Sequence, residues 1–527
     1  MSSEKIYNAI TQMPDNYIHE AMSTKLKNSH SIIMRFTAIA ASLALVVGIG
    51  GYLLLNMNNL PQLPIGGSTG GSGHTDGSTE FMSYAGPVFP MTLVTENDSI
   101  AAERRLVYDF SEFGAERQTR TDLHPAEIRM LDEYTLTNRS ASDITVDVLY
   151  PFVGNFAELG KLVPSLSLNG TDVNPTLFAG AYSGGFSGIG YNDEETTHNL
   201  DPLNSWEEYK AILSNGEYLK QALSDYSELN QTVTFYEFKN AVADHSKAVN
   251  PTLAARFDID YEKSTVLAYG FHGGHFDFEN GTMMQSFSIP KVGDQRYGNS
   301  FYLVVIGEDV SNLVIQGYIN GGCEDGYELD GVTADVFRTE ARLDDVLRVL
   351  FDDYMRQYAR DQVSLDWNGK SFDMDMIYHA FVEFMSTHGE LSETDPVDRY
   401  ETGWLDMVLS EVLLHDRVFY LKAQITIPAS ESVSVKAEFI KKPSFDFYTS
   451  GMENAGVYGY DMVTSLGTNL AFERTFAELI GPETIEITRQ NFGFDVSANV
   501  LEVELDANIE HYYLEIRGIT RDKASVD

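Results

Sequence analysis

Residues 36–55 form a run of twenty positions without a charged side chain, and this run constrains the chain more than any other feature. At a helical rise of about 1.5 Å per residue, such a run reaches about 30 Å, which is the thickness of the hydrocarbon core of a bilayer. A buried helix of a soluble domain is the alternative, but so long an apolar run fits it less well. The sequence therefore predicts one N-terminal transmembrane helix within residues 32–57.

The basic residues beside this run predict its orientation. Lys25, Lys27 and Arg35 precede it, and no Lys or Arg follows it until Arg104. The positive-inside rule then places the N-terminus in the cytoplasm and the bulk of the chain outside the cell. A cleaved signal peptide is the alternative, but the run is longer than a typical signal core and no small-x-small cleavage site follows it. We expect a single-pass protein of the cell membrane.

Charge and cysteine content exclude several classes of function and of binding site. The net charge of −42 arises from 36 basic and 78 acidic residues, so the surface repels nucleic acid and anionic lipid. The excess of acidic residues needs no specific function, because negative charge also keeps an exported protein soluble. Because Cys323 is the only cysteine, one chain holds neither a disulfide nor a cysteine-based zinc cluster. We expect no cofactor and no nucleic-acid partner, and the composition is typical of a bacterial surface protein.

Composition and periodicity divide the chain into six segments and predict an α+β fold that is mostly β. The outer part is expected to be a sandwich-like ectodomain with a helical region, anchored by the transmembrane helix. The segments are a cytoplasmic amphipathic stub (1–31), the transmembrane helix (32–57), a flexible Gly/Ser linker (58–81), a β-rich extracellular domain (82–332), a helical region (333–415) and a β-rich C-terminal domain (416–527).

Alternating apolar residues predict strands. Residues 132–152 alternate around the polar turn NRSASD, and residues 418–440 alternate around PASES, so each segment has the pattern of a β-hairpin. Further strands are predicted over 469–479, 483–488, 499–505 and 512–517. Helical spacing predicts helices over 206–226, 374–384 and 404–413, and a stronger one that Thr339 caps and that ends near Tyr358.

The polar cluster GFHGGHFDFENG, residues 270–281, is the most suggestive candidate site. If a strand ends in the Asn280-Gly281 turn, then His275, Asp277 and Glu279 project from one face and are candidate ligands of a divalent cation. An ordinary hairpin with these polar residues outward, and with Phe276 and Phe278 inward, would have the same sequence pattern. Zinc sites usually have tighter ligand spacing, so the hairpin without metal remains the simpler interpretation.

No segment has the spacing of a catalytic motif. Ser183 and Ser187 lie in AYSGGFSGIG but fail the Gly-x-Ser-x-Gly spacing of a nucleophile elbow, which favours a surface loop. We therefore predict that the chain is not an enzyme, and an exported hydrolase is the third of three functional hypotheses.

The stub carries two apolar faces separated by Pro14. Neither short helix is stable alone, so a partner or the membrane surface must cover these faces. The predicted partner-binding residues are Ile6, Ile10 and Met13 on the first face and Ile18, Met22 and Leu26 on the second.

Taken together, EKIYNAITQMPDNYIHEA, the basic segment after it and MRFTAIAASLALVVGIGGYLLL resemble the N-terminal part of single-pass, anti-sigma-factor-like membrane proteins of Gram-positive bacteria. The His and paired Cys ligands of the zinc-type anti-sigma domain are absent. The outer part resembles uncharacterised exported proteins.

This resemblance implies a stub that binds a sigma factor and an outer part that senses an extracellular ligand. The alternative is a surface-displayed binding or structural protein without a signalling role, in which the stub only directs membrane insertion.

Overall fold

The computed structural model describes much of the chain from residue 83 onward. The described residues are 83–84, 86–114, 126–182, 228–291, 301–356, 366–367, 370–371, 373–387, 390–391, 404–414, 416–446 and 456–519. They belong to one compact unit, residues 65–527. The predicted stub, transmembrane helix, linker, 206–226 helix and serine-containing loop lie outside them. Within the described ranges, no helix is long and apolar enough to cross a bilayer.

A seven-stranded sheet, called the large sheet below, carries much of the core. With strands numbered in chain order, its order is β25 (Glu502–Glu504), β23 (Ala471–Ile480), β3 (Ile100–Asp109), β4 (Ile128–Asn138), β20 (Ser432–Lys441), β6 (Ser165–Leu168) and β7 (Thr171–Asp172). Neighbours are antiparallel except for β23 and β3, which are parallel. Buried residues alternate along β4, as expected of a strand that buries one face.

Two smaller sheets cover that face. The four-stranded cover sheet has the order β2 (Thr92–Leu93), β5 (Ile144–Gly154), β19 (Arg417–Ile427) and β8 (Thr176–Tyr182). The five-stranded cover sheet has the order β1 (Ser83–Tyr84), β21 (Phe445–Asp446), β22 (Val457–Val463), β26 (His511–Gly518) and β24 (Ile485–Gln490). Tyr134 and Leu136 of β4 share a core with the first sheet, and Ile128 and Met130 share one with the second.

The two segments predicted as hairpins contain the expected strands but do not form hairpins. β4 pairs with β3 and β20, whereas β5 pairs with β19 and β2. The turn after β4 therefore leads from the large sheet to the four-stranded cover sheet, and the turn after β19 leads from that cover sheet back to the large sheet. The hairpin prediction was wrong because alternation fixes which face of a strand is buried but not its partner.

A buried asparagine holds these two turns together. The Asn138 side-chain amide donates to the carbonyls of Ser142 (2.8 Å), Ile427 (3.0 Å) and Pro428 (3.2 Å). Because Asn138 is fully buried, these bonds satisfy a donor that water does not reach. The two segments with similar patterns are thus side-by-side arches, with β4 beside β20 and β5 beside β19.

A second pair of sheets encloses a separate core. One sheet has the order β11 (Ser264–Tyr269), β14 (Phe301–Gly307), β9 (Thr232–Val242) and β16 (Thr333–Arg342). The other has the order β12 (Gly273–Asp277), β13 (Thr282–Ser288), β10 (Thr252–Asp258) and β15 (Ser311–Tyr318). Phe238 and Leu303 of the first sheet and Leu253 and Phe287 of the second are buried in this core.

The described helices are α1 (Leu159–Leu162), α2 (Leu343–Tyr354), α3 (Met374–Thr387) and α4 (Leu405–Leu414). A two-stranded sheet, β17 (Asp366–Trp367) and β18 (Lys370–Ser371), precedes α3. Buried residues of α2, α3 and α4 share one core with Leu267 of β11, Val304 of β14 and Phe419 of β19. The predictions of α3 and α4 are confirmed.

The predicted start of α2 was wrong. Thr339 lies in β16, opposite Phe235 of β9, and the helix begins only at Leu343. Arg342 precedes the helix and makes no side-chain cap bond. The predicted apolar face is nevertheless buried through Val346, Leu347, Leu350 and Tyr354. The sequence pattern located the core side of the helix but not its first turn.

The mostly β character of the described chain is confirmed. The C-terminal strands fall at the predicted places in β23, β24, β25 and β26. Strands from 82–332 and from 416–527 pair with each other in the large sheet and in the four-stranded cover sheet. These two predicted segments therefore build common sheets.

Candidate functional site

The candidate metal ligands lie at a hairpin whose strand ends earlier than predicted. β12 ends at Asp277, whose carboxylate accepts hydrogen bonds from the Asn280 backbone N–H (3.1 Å) and side-chain amide (2.8 Å). These bonds lower the pKa of Asp277. His275 and Asp277 lie two positions apart on one face of β12, but Glu279 lies in the turn. The structure therefore does not place all three residues on one strand face.

Within the described ranges, no three His, Cys, Asp or Glu side chains lie close enough together to hold a metal ion. Phe276 packs against the core between the second pair of sheets, as predicted for an inward residue. Phe278 is 56% exposed, and its ring lies 4.5 Å from the ring of Tyr261. The hairpin interpretation accounts for this segment, although only one of the two phenylalanines is inward.

The neighbouring buried polar groups fasten α4 to the second pair of sheets. The Trp404 indole Nε1 donates to Gln285 Oε1 (3.0 Å), and Gln285 is fully buried. Asp406, in the first turn of α4, accepts a hydrogen bond from the Gly270 N–H (3.1 Å). Burial raises the pKa of Asp406, and His272 opposes that shift. Gly270 of the candidate segment and Gln285 just after it therefore supply contacts that position a helix.

A buried ion pair lies between the large sheet and its two cover sheets. The Arg104 guanidinium donates to both carboxylate oxygens of Asp132 at 2.9 Å, and both side chains are 0% exposed. Arg104 also donates to the carbonyls of Val463 (2.9 Å) and Phe89 (3.2 Å). Burial alone would lower the pKa of Arg104, but the Asp132 carboxylate raises it above its ordinary value.

Two tyrosines complete this polar centre. The hydroxyls of Tyr134 (2.7 Å) and Tyr150 (3.2 Å) donate to Asp132 Oδ2, and burial raises both of their pKa values well above the ordinary value. The centre is closed to solvent and its groups bond one another, which is the arrangement of a structural network rather than of a reactive site. Alternation placed Asp132 in a strand, but no sequence signal paired it with Arg104.

An open groove follows β24, the terminal strand of the five-stranded cover sheet. Its volume is about 700 Å³, and it is lined by β24, by residues 494–496, which are called the far wall below, and by Tyr513 of β26. Among the strands that the structure describes, β24 has a partner, β26, on one side only. The groove is thus an open surface feature beside the edge of a sheet and not an enclosed cavity.

The far wall of the groove is held in place by hydrogen bonds and by buried rings. The Gln490 side-chain amide donates to the Phe494 carbonyl (2.6 Å) and accepts from the Phe494 N–H (3.1 Å). Asp495 and Val500 exchange two backbone hydrogen bonds (3.0 and 2.8 Å). Phe492 and Phe494 are buried and stacked, with ring centroids 5.3 Å apart. The groove is therefore a preformed feature of the fold.

The polar lining of the groove is negative in balance. Glu486 and Asp495 are exposed, and the Asp495 carboxylate accepts hydrogen bonds from Ser497 (2.7 Å) and the Ala498 N–H (2.9 Å), which lower its pKa. Arg489 bonds Glu515 at 2.5 Å, so its charge is matched by a carboxylate. The sequence predicted the strand but gave no signal that it ends a sheet, because strand order depends on distant partners.

The chain matches no protein-family model, and no curated protein matches it. The predicted partner-binding residues of the stub lie outside the described ranges.

Proposed function

We propose that this chain is a single-pass membrane protein of the anti-sigma-factor type. Its cytoplasmic stub binds a sigma factor, and its large acidic β-rich part lies outside the cell as a sandwich-like, ligand-binding ectodomain. The observation that carries the proposal is the charge-free run 36–55 with Lys25, Lys27 and Arg35 on its N-terminal side only. The resemblance of residues 4–57 to such regulators supports the sigma-factor role.

The outer part supports a binding role better than a catalytic one. In the described ranges, Arg104, Asp132 and Gln285 bond partners inside the core, and the groove along β24 is open to solvent. Edge strands and surface grooves are typical places for a protein partner to bind. We therefore assign the sensing of an extracellular ligand to this part of the chain.

The proposed signalling role depends on what the stub binds. A segment of about thirty residues buries too little surface to fold alone, so its two apolar faces require a cover. An amphipathic helix laid into a groove of the sigma factor is the expected mode, with a few apolar anchors carrying most of the affinity. The inner leaflet is the other cover, because Lys25 and Lys27 would attract anionic lipid.

Substitution of one anchor on each face tests the sigma-factor role. In the full-length chain, Ile10→Asp with Ile18→Asp should release the captured sigma factor and switch on its regulon, and membrane insertion should be unchanged. Asn8→Asp with Thr24→Asp adds the same charge away from the anchors and is the matched control. The measurements are co-purification from detergent-solubilised cells and transcript profiling.

A surface-displayed binding protein without signalling is the second candidate, and the open groove along β24 favours it equally. No captured sigma factor, together with an unchanged transcriptome in the anchor variant, would reject the regulator and select this candidate.

A further inference from the structure

We propose that the groove along β24 binds an extended peptide that adds a strand to the five-stranded cover sheet, and that this peptide alternates apolar and basic residues. The inference relies on the proposed function only in placing the groove outside the cell. The site itself follows from the geometry of β24 and of residues 494–496.

The backbone of β24 offers hydrogen-bonding groups on the side away from β26, where no other described strand pairs with it. The Ile519 N–H donates to the Thr484 carbonyl (2.9 Å), and the Asn491 N–H donates to the Tyr513 carbonyl (3.2 Å). In an antiparallel ladder, directly bonded pairs alternate with pairs whose N–H and C=O groups point away from each other. The register Ile487↔Ile516 and Gln490↔Leu514 then directs the backbone groups of Ile487 and Gln490 away from β26.

An irregularity in β24 does not close this edge. The register with β26 shifts between Ile487 and Arg489, and the Thr488 hydroxyl donates to the Glu515 carbonyl (3.1 Å) inside the sheet. The strand has six residues, so an added strand of similar length would span about 20 Å at about 3.3 Å per residue. This length is enough for several alternating side chains.

The side chains beside the edge specify the two faces of the added strand. Ile487 packs against the core of the five-stranded cover sheet, and Val496 is 43% exposed in the far wall, so inward positions of a peptide would meet apolar surface. Glu486 and Asp495 are exposed acids, so the remaining positions favour lysine or arginine. Alternating apolar and basic residues fit both faces.

Charge argues against a second copy of this chain as the occupant. The net charge is −42, and the groove has an excess of acidic side chains, so two such edges would repel each other. A basic peptide gains from the same field in its association rate and in its specificity.

The test uses the full-length chain in neutral detergent micelles. The probe is a fluorescent peptide of about six residues that alternates valine and lysine, which matches the length of the edge. A peptide with glutamate in place of lysine tests charge, and a peptide N-methylated at alternate residues tests the backbone bonds. We expect saturable binding of the lysine peptide, and loss of two edge hydrogen bonds should weaken it about tenfold.

Matched variants locate the site. Glu486→Lys with Val496→Lys should weaken binding of the lysine peptide about tenfold. Glu431→Lys with Val314→Lys changes the same residue types at exposed positions outside the groove and should leave binding unchanged. Thermal melting of both variants checks that the fold is retained, because all four positions are exposed.

Three results would overturn the assignment. They are absence of saturable binding, equal binding of the glutamate peptide, and unchanged binding by the groove variant. A concentration-dependent dimer that the groove variant abolishes would show that a second copy of the chain binds the edge of β24, and the peptide proposal would be rejected. Because none of these measurements involves the stub, failure of the sigma-factor proposal would be seen separately.

Discussion

Lys441 is a buried lysine. It is 6% exposed, and its ammonium donates to the Gly86 carbonyl at 3.0 Å. Burial lowers its pKa to about 8, although Asp461 and Asp416 raise it and Lys442 lowers it further. A charged group in this position reduces the stability of the fold at neutral pH.

We predict that Lys441→Met stabilises the full-length protein at pH 7 by about 1–3 kcal/mol. Below pH 8 the lysine is protonated in the folded and unfolded states, so the whole cost of burying the charge applies. Between pH 8 and 10.5 the folded state loses the proton first, so the stability of the natural protein rises relative to the variant. Urea unfolding at pH 7 and pH 10 measures the difference.

Lys436→Met on the same strand is the control. Lys436 is partly exposed, and hydrogen bonding to Glu438 raises its pKa, so its removal should give no gain at pH 7. An advantage of Lys441→Met that stayed constant from pH 7 to pH 10 would show that its charge is not the cause.

The Arg104–Asp132 pair predicts a different outcome, because each partner satisfies the other. Asp132→Asn should destabilise the protein by about 3–5 kcal/mol, since it leaves the guanidinium buried without its counter-charge. Replacing both residues, Arg104→Met with Asp132→Leu, should cost less than the single change, because no buried charge remains. Chemical unfolding of the three proteins measures both costs, and a double variant less stable than the single one would contradict this account.

At the scale of elements, the arches explain what the sequence could predict. Alternation of Tyr134, Leu136 and Val148 correctly identified β4 and β5 and their buried faces. It could not identify their partners, because either a hairpin or a crossing between sheets buries the same residues. The partners that distinguish the arches from hairpins are β20 and β19, which lie about 300 residues further along the chain.

The predicted start of α2 and the exposed edge of β24 show the same limit of local sequence. The spacing of Val346, Leu347 and Leu350 located α2, because a helix buries residues that are near neighbours in sequence. Thr339 was misassigned to its cap because β16 is stabilised by pairing with β9, which local sequence does not record. The exposed edge of β24 is likewise a property of sheet order and not of the strand itself.

The contact between β13 and Trp404, which directly precedes α4, gives a prediction at this scale. Trp404→Phe keeps an aromatic ring but removes the donor to Gln285, which is fully buried, and an unsatisfied buried acceptor costs about 1–3 kcal/mol. Adding Gln285→Met should recover part of that loss, because both polar partners are then absent. Urea midpoints at equal denaturant slope measure the difference, and additive losses in the double variant would reject the contact as the cause.

At the scale of the whole molecule, the described residues form a single compact unit whose sheets are closed by strands distant in sequence. Such a unit resists cleavage at its strands, because proteases cut chains that are locally open. Because the unit resists cleavage, protease treatment of intact cells shows on which side of the membrane it lies. The site of cleavage then depends on the predicted linker 58–81, which is rich in glycine and serine.

Protease added to intact cells, after removal of any cell wall, should cut within residues 58–81 and release a fragment that contains the β-rich part. The stub and residues 36–55 should remain with the membrane, because the positive-inside rule predicts that Lys25, Lys27 and Arg35 keep the N-terminus in the cytoplasm. Detection with one antibody to the stub and one to the C-terminus distinguishes the fragments. Replacing the three basic residues with glutamine should reduce the fraction inserted in this orientation. If the β-rich part were protected in intact cells and cleaved only after lysis, the proposed topology would be rejected, and the extracellular assignment of the β24 groove with it.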